Sequence, residues 1–221
     1  LQEARAVLRQ YASSDVFNLL ETTWKDPSIP ITLEGAQGPG LDPFHGVYPD
    51  VTASRPMSRN INDATYNIID PANIFYRVAV LKTTYMSSVG TRVLPTIMND
   101  ETEAWIQEAF DEKGRSTGRI RDIYPISIPI GTYLRKAAGY RFAVATHLDA
   151  SKEDTNIEII THYTDKKTGV EKPYLPFQDY LDTLEAHAFT FNGWDADEVK
   201  KATTFNQLPI NARRFLGFLS Q

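Results

Sequence analysis

Glu34-Gly35-Ala36-Gln37-Gly38-Pro39-Gly40-Leu41-Asp42-Pro43-Phe44-His45-Gly46-Val47-Tyr48-Pro49-Asp50-Val51-Thr52-Ala53-Ser54 is too irregular for a helix. Its glycines let the backbone approach a ligand closely and adopt positive φ. An apolar stretch precedes it, and residues 29–33 are expected to form a short strand. A polar, Gly-rich loop after a buried strand is where α/β folds place their sites.

Working outward, residues 2–24 carry helical periodicity, with Ala4, Val7, Leu8 and Tyr11 on one face and Ser13 or Ser14 as a cap for a second segment. Residues 75–83 form a strand or a buried helix end; periodicity does not separate the two. Residues 100–113 are expected to be helical, with Trp105, Ile106, Ala109 and Phe110 as the apolar stripe. The apolar run 140–146 has the composition of an interior strand, whereas 156–163 alternates and is placed nearer an edge. Asp165-Lys166-Lys167-Thr168-Gly169 reads as a hairpin turn, and helices near 195–204 and 208–219 close the chain. Interleaved strands and helices give an α/β class, with a mainly parallel central sheet flanked by helices in a single domain over 1–221. Pro43, Pro49, Pro56 and Pro71 punctuate one long irregular region, about 35–73, and a loop that long in a compact domain is usually functional or disordered.

The 221 residues suffice for a substantial core. The 28 acidic and 23 basic side chains, net charge -5, argue against a general nucleic-acid binder. No apolar run approaches the roughly 20 residues that cross a bilayer, so no membrane partner is expected. Cysteine is absent, which removes disulfide frameworks and cysteine metal sites and fits a reducing, cytoplasmic compartment. The chain starts at Leu1 inside a helical pattern, which reads as part of a larger protein.

Two further segments carry chemistry. Lys113-Gly114-Arg115-Ser116-Thr117-Gly118-Arg119-Ile120-Arg121 places cations and hydroxyls on a pliable backbone. The planar fork of Arg suits a carboxylate or phosphate. A solvated surface turn explains the same composition equally well. Thr146-His147-Leu148-Asp149 follows the most apolar strand. A carboxylate there can accept the N1 and N2 donors of guanine, although a simple strand-end turn accounts for it as well.

Taken in order, these segments resemble the adenylosuccinate synthetase family. Its "EGAQG…LD…HG.YP.VTSS" loop matches residues 34–54. Its "STRVGAGPFPT" matches Ser87-Ser88-Val89-Gly90-Thr91-Arg92-Val93-Leu94-Pro95-Thr96. Its "TTGRRRR" matches residues 116–121, its "TKLD" matches 146–149, and its "QLP" matches Gln207-Leu208-Pro209. The resemblance implies a fold related to P-loop NTPases, here lacking its N-terminal part. It implies a ligase that joins aspartate to inosine monophosphate (IMP): GTP phosphorylates the purine 6-oxygen and the aspartate amine then displaces phosphate. Carried over by position, Gln37 and Thr52 contact the monophosphate, Gln37 near the base in a supporting role and Thr52 at the phosphate. Val89 lies against the ribose, and Arg119 sits between nucleotide and aspartate. Ser116, Thr117, Gly118, Arg119 and Arg121 form the aspartate loop. His147 and Asp149 meet the base of the triphosphate. Mg2+ with GTP, and a homodimer whose site is completed across the interface, are implied in the same way.

The chain departs from the family pattern in several places. The phosphate loop "GDEGKGK" does not occur, and the Asp and His expected as catalytic base and acid go with it; no Gly-x-x-x-x-Gly-Lys-Ser/Thr replaces it. No catalytic residue is therefore assigned in this chain. The family's "STGP" guanine segment does not occur either. His147 stands for Lys, which admits ATP in place of GTP. Ile120 and Ser88 stand for Arg, which admits a different amino-acid acceptor, or a GMP-type nucleotide, as in phage-encoded relatives, in place of IMP. A non-catalytic nucleotide-binding module derived from the family is the alternative. The histidines His45, His147, His162 and His187 show no metal spacing, and His45 is expected to orient its loop. Asp149, Ser151 and Glu153 lack the glycine of a calcium loop, and Phe189, Phe191 and Trp194 are read as core.

Overall fold

The computed structural model describes residues 2–9, 15–115 and 117–220. Tyr11, Ser13, Ser14 and Ser116 lie outside them. The helical start resolves into α1 (Gln2–Leu8) and α2 (Val16–Lys25), the latter capped by Asp15, whose carboxylate accepts from Asn18 N. Residues 29–33 pair with no strand among the described residues, and Ile29 and Leu33 are exposed. The expected strand before the glycine loop is therefore corrected to unpaired chain. Apolar content without a hydrogen-bonding neighbour does not make a strand.

The long region that follows is held by turns and short helices, among them α3 (Ile61–Ala64), and it leads into β1 (Val78–Lys82). β1 pairs in parallel with β5 (Phe142–Thr146), Val78 opposite Phe142 and Lys82 opposite Thr146. Between them lie β2 (Met86–Ser87), α4 (Asp100–Ala109), β3 (Ile123–Tyr124), β4 (Ile126–Ser127) and α5 (Ile128–Ala138). Asn99 Oδ1 caps α4 through Thr102 N (2.9 Å). Ser127 caps α5, and Gly139 ends that helix at φ +71°, a left-handed position that glycine occupies without strain.

The largest sheet is built on β6 (Asn156–Asp165). β8 (Leu184–Asn192) pairs antiparallel along its whole length. A strand has two edges, so β4 (parallel) and β7 (Glu171–Lys172, antiparallel) share the other one. β6 is thus the centre of its sheet and not near an edge. The α/β class holds, with parallel pairing divided between β1–β5 and β4–β6 and the larger sheet mixed. The alternation that pointed to an edge is broken by an irregularity between Ile160 and His162. Ile157 and Ile159 face Trp194, Ala212 and Phe215, the last two on α6 (Ile210–Leu219). Ile160 and Tyr163 face Val47, Ile130, Leu181 and Leu184. One extra residue at Thr161 reverses the phase of a period-2 strand, which lets Ile160 and Tyr163 share a face. The hairpin at 165–169 is present, with Asp165 Oδ1 accepting from the Lys167 and Thr168 amides. Trp194 and Phe191 belong to the core, but Phe189 is half exposed. No helix among the described residues is long and apolar enough to cross a membrane.

Candidate functional site

The segment 82–92, from the end of β1 through β2, ties the sequence motifs to one another. At its start, Thr83 N donates to Thr146 O (2.9 Å) and Thr84 Oγ1 to His147 O (3.3 Å). In its middle, β2 pairs with β3, and Ser88 N donates to Asp122 O (2.8 Å), which anchors the chain leaving the basic loop. At its end, Thr91 Oγ1 donates to Asp50 Oδ2 (3.2 Å) and Arg92 to Gly40 O (2.9 Å), both in the glycine loop. Gly90 has φ +83°, and a Cβ there would lie 1.9 Å from Asp50 Oδ1. Only glycine permits this contact between the half-buried Val89 segment and the glycine loop.

Within the glycine loop, Gln37 and Thr52 meet. Thr52 Oγ1 donates to Gln37 Oε1 (3.2 Å), and the Ser54 hydroxyl donates to the same oxygen. Gln37 holds φ +61°, an uncommon conformation for a residue with a side chain. Its strain is of the kind that concentrates at ligand sites. Asp42 is buried; its Oδ1 accepts from Phe44 N (2.9 Å), and its Oδ2 has no partner among the described residues. His45 touches the Tyr133 hydroxyl through Nδ1 (3.3 Å) and Arg59 through Nε2, so it orients its loop. Burial raises the Tyr133 hydroxyl above its usual range, and the Asp42 charge adds to the effect.

The basic loop is not a solvated turn of interchangeable cations. Asp111 pairs with Lys113 (2.6 Å) and Arg115 (2.9 Å), and Glu112 pairs with Arg121 (2.9 Å). Among the described residues Arg119 is the cation of this loop left with no ion pair or side-chain hydrogen bond. A bridge between Lys113 and Ile120 and the bond from Gly114 N to Arg119 O (2.8 Å) hold the loop closed. Thr117 Oγ1 accepts from Arg119 N (3.3 Å), and Gly118 has φ +66°.

Glu112 joins the segments of this region, a contact that the sequence reading missed. It is 3 % exposed and accepts from Lys82, the Tyr85 hydroxyl (2.6 Å) and Arg121. Burial pushes its carboxyl up, but the hydrogen bonds from Lys82 and Tyr85, the Lys82 charge and the Arg121 hydrogen bond outweigh that and hold it below the usual range. Tyr85 is driven strongly upward by burial and by Glu112. The signal was present in the sequence: an acid directly before the run that starts at Lys113. Among the described residues Arg121 Nε is buried without a partner, and this guanidinium meets Glu112 through Nη1. His147, at φ +55°, packs edge-on against Tyr85 (5.7 Å between centroids) and tilted against Phe110 (5.3 Å). Asp149 is half-buried, and its carboxylate makes no hydrogen bond among the described residues.

The motif segments are thus tied to one another, and the sequence profile described as adenylosuccinate synthetase matches residues 1–221. The chain belongs to the adenylosuccinate synthetase family. The adenylosuccinate synthetase of Leuconostoc mesenteroides is 32% identical over 192 residues, which cover 86% of this chain and 44% of that protein. The Theileria parva adenylosuccinate synthetase is 31% identical over 194 residues, covering 86% and 44% respectively. The fully ligated adenylosuccinate synthetase of Plasmodium falciparum superposes with a TM-score of 0.86 at 22% identity, over 99% of this chain and 51% of that one. The synthetase fold is therefore present, and the chain spans about half the length of the relatives it matches.

Proposed function

We propose that this chain is the part of a purine-nucleotide ligase that holds a purine monophosphate and aspartate while a nucleoside triphosphate activates the purine. The observation that carries the reading is Arg119. Among the described residues it is the uncommitted cation of a loop whose other basic side chains are paired, on a segment tied to the glycine loop through 82–92. A free guanidinium beside a pliable backbone suits a carboxylate or phosphate. Gln37 and Thr52, already in contact, form the monophosphate wall with Val89. Thr117, Gly118, Arg119 and Arg121, together with Ser116, hold the aspartate carboxylates. Asp149 offers two acceptor oxygens to the paired N–H donors of guanine, which makes GTP the triphosphate, with His147 covering the base.

The chemistry follows from the poor leaving ability of a purine 6-oxygen. Transfer of the γ-phosphoryl group from GTP to that oxygen of IMP gives GDP and a 6-phosphoryl nucleotide. The aspartate amine then adds at carbon 6, loses its proton, and inorganic phosphate departs. This chain's contribution is to bind and orient both substrates, which lowers the entropic part of the barrier. Among the described residues no group of three or more His, Asp or Glu side chains could hold a metal ion, so no step is assigned to Mg2+ here. A homodimeric assembly in the cytoplasm belongs to the same reading.

Calorimetry tests it. IMP is expected to bind saturably, and Gln37→Ala and Arg119→Ala are each expected to weaken binding, by about tenfold or more for the charged contact at Arg119. GTP is expected to outcompete ATP for the Asp149 site. Absence of saturable binding by both IMP and GMP, or indifference to both substitutions, overturns the proposal.

A further inference from the structure

Arg92 forms no ion pair among the described residues, and its guanidinium bonds there to neutral acceptors in two segments. Nε donates to Ser88 Oγ (2.9 Å) and Nη1 to Gly40 O (2.9 Å). Ser88 is 2 % exposed and belongs to the Val89 segment, whereas Gly40 lies in a short turn of the glycine loop. Burial lowers the Arg92 guanidinium from its ordinary value, and the nearby Tyr174, Asp50 and Tyr124 oppose that shift. The half-buried Gly40 carbonyl is crowded from within its own loop, since a Cβ at Gly46 would lie 2.5 Å from its oxygen. Among the described residues Arg92 is the donor to that oxygen. A carbonyl so placed costs stability when its donor is lost.

Position 88 is where the family segment "STRVGAGPFPT" has its arginine, and position 92 is where it has a glycine. This chain has the reverse: a small side chain at 88, and an arginine four residues on that folds back onto it. We infer that Arg92 is a positioning residue that takes over the guanidinium missing at position 88 and clamps the glycine loop to the Val89 segment. The basic group is moved and not lost, so Ser88 by itself gives no reason to expect a different purine or acceptor. The planar fork of arginine holds both acceptors at once, which an ammonium on a flexible stem does not. Under the proposed function the clamp sets the wall on which the monophosphate rests. Only that consequence rests on the proposed function; the clamp itself does not.

Hydrogen exchange read by mass spectrometry tests the clamp without nucleotide. The amides of Gly46 and Thr52, which donate to Asp42 O (2.7 Å) and Leu41 O (2.8 Å), report on the loop, and β6 reports on the fold. Arg92→Ala is expected to speed exchange at 41–52 by about tenfold or more and to leave β6 unchanged. Arg92→Lys keeps the charge and reaches one acceptor, so it should speed the same amides by a smaller factor, and it decides the matter where the alanine variant does not fold. Ser88→Arg combined with Arg92→Ala returns a guanidinium from position 88 and should bring exchange back to within about threefold of native. IMP calorimetry on the same proteins should follow the loop, about tenfold weaker in Arg92→Ala and recovered in the double variant. An arginine that only filled space would not be replaceable from another position. Four outcomes overturn the inference: unchanged exchange at 41–52 in both single variants, β6 loosened as much as the loop, a double variant as loose as Arg92→Ala or looser, or an IMP affinity that ignores a loosened loop. A loop that loosens and recovers as expected while none of these proteins, the native chain included, binds IMP supports the clamp and overturns the proposed function.

Discussion

At the scale of the residue, Glu112 does the most to shape the site, because it joins β1, the tyrosine at the start of the 82–92 segment and the basic loop. Removing one partner of a buried ion pair leaves uncompensated charge, so Glu112→Ala is expected to destabilise by about 3–5 kcal/mol, measured by urea unfolding. The pH dependence has a fixed sign. The folded Glu112 carboxyl titrates below its ordinary value of 4.5, so its contribution is present above about 4.5 and is lost as pH falls through the lower folded value. The stability gap between the native chain and Glu112→Gln should therefore narrow below about pH 4.5; a gap that widens there would show that the carboxylate is not held by Lys82 and Arg121. The acid was visible in the sequence but not its role. Charges adjacent along the chain do not reveal which of them fold inward together.

At the scale of the element, the junction of β4, α5 and β6 depends on one hydroxyl. Ser127 Oγ accepts from Ile130 N (3.3 Å) as the cap of α5 and also meets the buried Tyr163 hydroxyl (2.9 Å). Burial pushes that phenol up to about 12 although the Ser127 hydrogen bond opposes it. Ser127→Ala removes the cap and strands the phenol, at an expected cost of about 2 kcal/mol by thermal or urea unfolding. Adding Tyr163→Phe removes the stranded group as well, so the double variant should lose less than the sum of the singles. Strict additivity would mean that the two hydroxyls do not interact. Elements with a local cause, such as α4 and the 165–169 turn, were legible from caps and turn residues. The strand expected at 29–33 and the edge position expected for 156–163 were not, because strand status depends on partners far away in sequence.

At the scale of the whole molecule, the segment 82–92 joins the glycine loop to the chain that leaves the basic loop, so the groups of the proposed site share one support. Residues 1–221 contain the loops proposed to bind the monophosphate and aspartate and no "GDEGKGK" run, so under the proposed function these residues on their own are expected to release no phosphate in the presence of IMP, aspartate and GTP. A coupled phosphate assay reads this outcome. Robust turnover by the isolated chain would show that the catalytic groups are already present in it.

The sequence by itself determined the family, the α/β class and the positions of the glycine loop, the basic loop and Asp149, because each is a local run whose residue types suit one backbone or one chemistry. Only the tertiary structure decided which arginine of the basic loop has no ion pair among the described residues, that Glu112 fixes Arg121, that β6 lies at the centre of a sheet, and that β5 pairs with β1. Those outcomes depend on pairing and burial between residues distant along the chain, and no local pattern encodes which partner a charge or a strand will meet.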